Sequence, residues 1–139
     1  MDDPHDLQRF VDAQAGVFDQ ALAELSAGTK RSHWMWFVFP QIAGLGFSAM
    51  AQRYAIASRL EAQAYLAHPL LGPRLIACTR AVCRVADRSA HQIFGSPDDL
   101  KFRSSMTLFA AIAQERIFAE ALLKYFDGQP DEATLKTLA

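Results

Sequence analysis

Lys30-Arg31-Ser32 stands directly before His33-Trp34-Met35-Trp36-Phe37-Val38-Phe39, an apolar run that ends at Pro40. Two cations, a hydroxyl and the unbonded N–H groups of a chain entering a helix are the groups that hold a carboxylate or a phosphate. The cations are also out of place there, since positive charge at a helix N-terminus opposes the macrodipole by about 0.3–1 kcal/mol each. The plainer alternative is that Lys30 and Arg31 point into water and pair with surface carboxylates. Trp34 and Trp36 fit a core or a pocket wall, and they also offer a stacking surface for a ring. His33, inside the apolar run, fits a core histidine bonded to backbone better than a catalytic base.

A second cluster lies on the helix that begins near Pro97. Phe102, Met106, Phe109 and Ala113 share one face, while Lys101, Ser105, Leu108 and Ile112 share another by the same spacing. A lysine and a serine, with Ser104 alongside, thus head a face that is apolar further down. An apolar wall with a few polar groups is how small-molecule pockets are built. A solvated first turn with back-bonded hydroxyls is the alternative. Asp99 and Arg103, four apart with the acid first, read as a structural pair. Lys101 with Ser104 or Ser105 supplies the residue types of a Ser–Lys nucleophile pair, but that pairing alone is weak support for catalysis.

Other chemistry lacks its signatures. There is no Gly-rich phosphate loop, HExxH, CxxC or G-x-S-x-G. His5, His33, His68 and His91 are dispersed without metal-ligand spacing, so no metal and no cofactor are expected. Cys78 and Cys83 sit roughly 140° apart around a helix axis. Both therefore read as reduced, mostly buried thiols, in keeping with a cytoplasmic setting.

The elements that must position these residues are helical. Asp3 and Pro4 open a helix whose apolar face runs from Leu7 to Leu25, with Gly28 as its stop. The aromatic run reads as a buried two-turn helix, and Gln41 to Phe47 as a loop. Ser48 caps a short helix through Tyr54, and Ser58 with Glu61 has capping-box spacing for one ending at His68. The next helix begins around Gly72-Pro73, and Ser89 with Gln92 forms another capping-box pair. Ser96-Pro97-Asp98-Asp99 reads as a cap, a first-turn proline and two first-turn acids, opening a helix to about Ala113. Glu115 to Phe126 and Pro130 to Leu138 complete the chain. No strand pair, repeat or linker is evident. The expectation is a single all-α domain over 1–139, a compact orthogonal array of seven or eight helices, several short.

Composition fits. With 51% hydrophobic and 21% charged residues and a net charge of −1, the chain can fill a core and lacks the basic balance of a nucleic-acid binder. The acidic N-terminal stretch does not read as a secretory signal. The longest apolar run falls far short of the ~20 residues that span a bilayer, so no membrane is expected.

The same stretches carry a family resemblance. Residues Lys30 to Gln41, with Gly44-Leu45-Gly46 and Ser48 after them, resemble the signature of domain-of-unknown-function family 1810. His68-Pro69-Leu70-Leu71-Gly72-Pro73-Arg74-Leu75 is similar to the family's second block, and Asp98 to Phe109 to its third. Phe47 and Phe102 stand where other residues are common. The resemblance implies a small all-α cytoplasmic bacterial protein and supplies no catalytic residues. Some members carry the label calpastatin, which does not fit, because a calpastatin-type inhibitor is disordered and this chain is rich in Phe and Trp.

The functional expectation is a pocket for an anionic, nucleotide-like small molecule. Trp34, Trp36 and Phe37 would form its wall. Lys30, Arg31, Ser32, Arg74, Lys101, Ser104 and Ser105 would be its anion contacts, with His33 a candidate acid–base group. This requires Lys101 to meet the Lys30–Ser32 start at one cavity. The competing expectation is an α-helical protein-interaction module, which would show an exposed apolar patch and, where that patch is self-complementary, form a homodimer.

Overall fold

The computed structural model describes residues 2–139; Met1, at the head of the acidic N-terminal stretch, lies outside them. Ten helices occur among the described residues, two more than the upper expectation. Extended pairing among them is limited to one parallel bridge between Ile42 and Ile56.

The long first helix is broken. Asp3 accepts from the N–H groups of Leu7 and Gln8 at 2.8 and 2.9 Å, but α1 covers only Gln8–Gln14. The chain then turns at Gly16, whose φ of +75° suits glycine, and α2 runs over Phe18–Ser26. The aromatic run forms one helical turn, α3 (Met35–Val38), not two. Ser48 accepts from Ala51 N–H to cap α4 (Ala49–Arg53). Ser58 likewise caps α5 (Arg59–Ala67) by accepting from Glu61 N–H. Glu61 does not complete that box, because its carboxylate accepts from Ala57 N–H at 3.3 Å and pairs with Arg9 at 2.8 Å. The helix α6 (Leu71–Arg84) follows, then α7 (Ala90–Phe94) with the full Ser89–Gln92 capping box. The helix α8 (Asp98–Ile112) starts one residue later than expected; Pro97 occupies its cap, preceded by a cis peptide bond, and Ser96 makes no cap. Finally come α9 (Ile117–Phe126) and α10 (Glu132–Leu138), the latter capped by Asp131.

Two helices organise the rest. The first, α6, packs on α2, α5 and α9, while α8 packs on α5, α7, α9 and α10. Between them runs an aromatic core. Phe102 lies 5.0 Å from Phe39, edge to face, and 4.7 Å from Phe94, stacked. Phe109 meets Tyr65 and Phe118 at 5.6 Å each. Such pairs add about 0.5–1.5 kcal/mol beyond the burial of their area.

Buried polar groups are placed to join elements. Gln14 donates to Phe37 O and to Tyr65 Oη and accepts from Arg74, linking α1, α3, α5 and α6. Arg9 donates to Arg53 O and Ala55 O, holding the stretch between α4 and α5. The end of α6 has no glycine stop. Its last carbonyls are met from α9: Lys124 Nζ donates to Cys83 O and Val85 O at 2.6 and 2.7 Å, and Tyr125 Oη donates to Val82 O. The loop after Pro40 is pinned by Ala43 N–H to Ile56 O and Ile56 N–H to Gln41 O, both 2.8 Å.

Candidate functional site, a groove beside the Gly44–Ala51 segment

Lys30 and Lys101 meet at one carboxylate. Lys30 Nζ lies 2.9 Å from Asp98 Oδ2, and Lys101 Nζ lies 3.6 Å from Asp98 Oδ1. The two ammoniums also stand over neighbouring indoles, Lys30 at 5.1 Å from the Trp34 ring and Lys101 at 5.2 Å from the Trp36 ring. One carboxylate therefore serves two cations beside both tryptophans. Asp98 also sits in the first turn of α8, where negative charge is favoured.

The remaining groups at the start of the aromatic segment are already engaged. Glu24 of α2 accepts from the N–H groups of Arg31 and Ser32 at 2.8 and 3.1 Å. It also accepts from Ser32 Oγ at 2.6 Å, Trp34 Nε1 at 3.0 Å and Gln20 Nε2 at 3.0 Å. Burial alone would push this carboxyl up. The bonds from Ser32, Arg31, Trp34 and Gln20 outweigh it and hold the group at about 2. The anion that this chain entry favours is thus the protein's own.

The other sequence-derived residues scatter. Trp34 is fully buried and Phe37 nearly so. Trp36 is half-buried and reaches the groove. Arg31 and His33 are exposed, so His33 is not the backbone-bonded core histidine expected; a single helical turn leaves the start of the run outside the core. Arg74 donates to Gln14 and lies 4.8 Å over Phe18, and it lines no part of the groove. Ser104 borders the groove and donates to Leu100 O at 3.1 Å. Ser105 is fully buried, and its Oγ has no partner among the described residues. The expected Asp99–Arg103 pair is absent among the described residues. Asp99 instead approaches His91 at 3.4 Å, and Arg103 donates to Gln129 O while covering Phe126.

Lys101 borders one of two adjacent lobes of a groove. The open lobe, about 360 Å³, is bordered by Leu45, Leu100, Lys101, Ser104 and Asp131. The more enclosed lobe, about 150 Å³, is bordered by Trp36, Gln52 and Tyr54. Gln41, Gly46 and Ala51 border both, so the lobes are adjacent. Gly46 has no room for a side chain: a Cβ there would lie 2.7 Å from Ala51 Cβ. Phe47 and Leu100, on the same segments, are 85% and 56% exposed and leave an apolar rim.

Sequence reasoning missed Gln41, Gly46, Ala51, Tyr54 and the double role of Asp98. The Gly44/Gly46 pair beside the basic and aromatic run was the signal available for the loop. The Asp98–Lys101 spacing of three was the one available for the carboxylate. Both thiols are free as expected, Cys78 buried and Cys83 partly so. Among the described residues no His, Cys, Asp and Glu cluster could hold a metal, and no helix is long and apolar enough to cross a membrane.

Comparison with known proteins places the chain in a family. The model of the family described as protein of unknown function (DUF1810) matches residues 4–138. No match is found among curated proteins. The chain is similar to a solved structure, the conserved hypothetical protein Rv1873 from Mycobacterium tuberculosis, at 56% identity, with 98% of each chain covered and a TM-score of 0.97. A family match over nearly the whole length, with the same Lys30–Gln41, His68–Leu75 and Asp98–Phe109 stretches inside it, means that this protein belongs to the DUF1810 family.

Proposed function

We propose that the protein binds a small anionic molecule in the groove, with Lys101 as the principal charge contact. One observation carries this reading: two lysines 71 positions apart share a single carboxylate, and the one held less closely lines the open lobe. Asp98 sits 2.9 Å from Lys30 but 3.6 Å from Lys101, so an incoming anion can take Lys101 while Asp98 stays with Lys30. The open lobe falls within the range of about 300–1,000 Å³ usual for ligand sites. Ser104 and the rim at Leu45 and Leu100 supply the mixed polar and apolar border that such sites use. Arg31, Ser32, Arg74 and Ser105 are left out of this set, since each is exposed, engaged elsewhere or sealed in the core.

The test is a thermal-shift series with inorganic phosphate, sugar phosphates and nucleotides, on the parent and on Lys101→Ala. A ligand at 100 times its Kd adds about 2.7 kcal/mol, a displacement of several degrees. Stabilisation that disappears in Lys101→Ala supports the site. Stabilisation that persists unchanged, or none with any anion, overturns it.

A second reading rests on the rim. Phe47 at 85% exposure, with Leu100 and Met50 beside the groove, suits a protein partner or a second copy of the chain. Concentration-dependent sedimentation that is lost in Phe47→Ser would favour it.

A further inference from the structure

The two lobes differ in chemistry. The open lobe holds an ammonium, a carboxylate at Asp131 and the Ser104 hydroxyl. The enclosed lobe has no charged side chain on its border. Its polar side chains are the neutral amides of Gln41 and Gln52 and the Tyr54 phenol; Trp36 is its half-buried aromatic surface, while the Tyr54 ring is packed against Phe10 and Phe37. Gln52 spends one donor on Phe47 O, whereas the Gln41 side chain makes no hydrogen bond among the described residues. That amide retains both a donor and an acceptor at the junction of the lobes. Trp36 stands at the same junction, since Lys101 covers its ring at 5.2 Å.

A neutral, partly enclosed space bordered by the half-buried Trp36 indole and an amide without a protein partner suits a flat heterocycle with hydrogen-bonding edges. It does not suit a second charge, which burial would penalise. We propose that the ligand carries such a ring at one end and its anion at the other, as a nucleoside monophosphate does. The ring lies in the enclosed lobe against Trp36, and the phosphate meets Lys101. Gly46 lies on the border shared by the two lobes, where a Cβ would stand 2.7 Å from Ala51 Cβ, so a larger residue there would press into that border. This assignment rests on the anion-binding reading above.

The probes are the four ribonucleoside 5′-monophosphates, ribose 5-phosphate and adenosine, titrated into the parent protein with tryptophan fluorescence as the readout. Trp34 is sealed in the core and Trp36 is not, so a change on binding reports Trp36. At least one monophosphate is expected to bind about tenfold or more tighter than ribose 5-phosphate, the ratio that about 1.4 kcal/mol of stacking gives. Its fluorescence change should vanish in Trp36→Phe while calorimetry still detects binding. Equal affinity for ribose 5-phosphate and every monophosphate would overturn the ring lobe and leave the anion site standing. Binding of adenosine as tight as that of its phosphate would overturn the Lys101 contact instead. No binding by any of the six overturns both.

Discussion

Glu24→Gln is the sharpest test of how the aromatic segment is held. The substitution keeps the volume and removes the charge from a carboxylate that accepts five hydrogen bonds. Glu24 is 8% exposed, so solvent screens these bonds little. Holding the carboxyl at about 2 in place of 4.5 corresponds to about 3 kcal/mol of folding free energy at neutral pH. The folded value is the lower one, so this contribution is complete above the unfolded value of 4.5 and drains away as pH falls toward about 2. Glutamine retains one acceptor oxygen but turns an NH2 toward the donors of Arg31, Ser32 or Trp34. The expected cost at pH 7 is about 2–4 kcal/mol, or roughly 10 °C in Tm for a chain of this size. Between pH 7 and 3 the parent should also lose about 2 kcal/mol that the variant, with nothing to titrate there, does not lose. Urea unfolding of both proteins at the two pH values measures all four stabilities. A variant within about 0.5 kcal/mol of the parent at pH 7, with the same acid loss, refutes the anchor.

Three further outcomes are expected. Gly72→Ala should cost at least about 2 kcal/mol by thermal melting, because a Cβ there would lie 2.0 Å from the backbone oxygen of Leu66; a melting point unchanged from the parent's would contradict that packing. Ser89→Ala, which removes the hydroxyl that accepts from Gln92 N–H but keeps the backbone N–H that donates to the Gln92 side chain, should cost about 1 kcal/mol in urea unfolding. Burial pushes Cys78 up to about 12 and also raises Cys83. Both thiols should therefore resist a thiol-labelling reagent at neutral pH until urea unfolds the chain, and rapid labelling of Cys78 in the native protein would contradict its burial.

Local devices were legible in the sequence. Ser48, Ser58 and Ser89 with Gln92 cap the helices they precede, because a cap needs only residues three positions apart. Features set by distant partners were not. Glu61 has capping-box spacing, yet Arg9, 52 positions away, takes its carboxylate. Arg103 follows Asp99 in the favourable order, yet the carbonyl of Gln129 lies within its reach. The break at Gly16 is hidden because Leu7, Phe10, Phe18 and Leu25 keep helical spacing on both sides of it. The pocket required Lys101 to meet the Lys30–Ser32 start at one cavity; the two ammoniums share Asp98, but Lys30, Arg31 and Ser32 border neither lobe of the groove. Asp98 between them was read only as a first-turn acid. Glu24 was not read at all, since a lone acid on an amphipathic helix looks like any solvated residue until the fold brings Trp34 to it.

The closure of α6 by α9 has a kinetic consequence. A helix stopped by glycine can fray at its end without disturbing its neighbours, but the final turn of α6 is held by the ammonium and phenol of Lys124 and Tyr125. Unwinding of the turn at Val82 to Val85 must then break these bonds to α9, so its amide protons should exchange more slowly than those of a freely fraying helix end. The two helices should exchange hydrogen for deuterium as one cooperative block, with rates set by the same opening event.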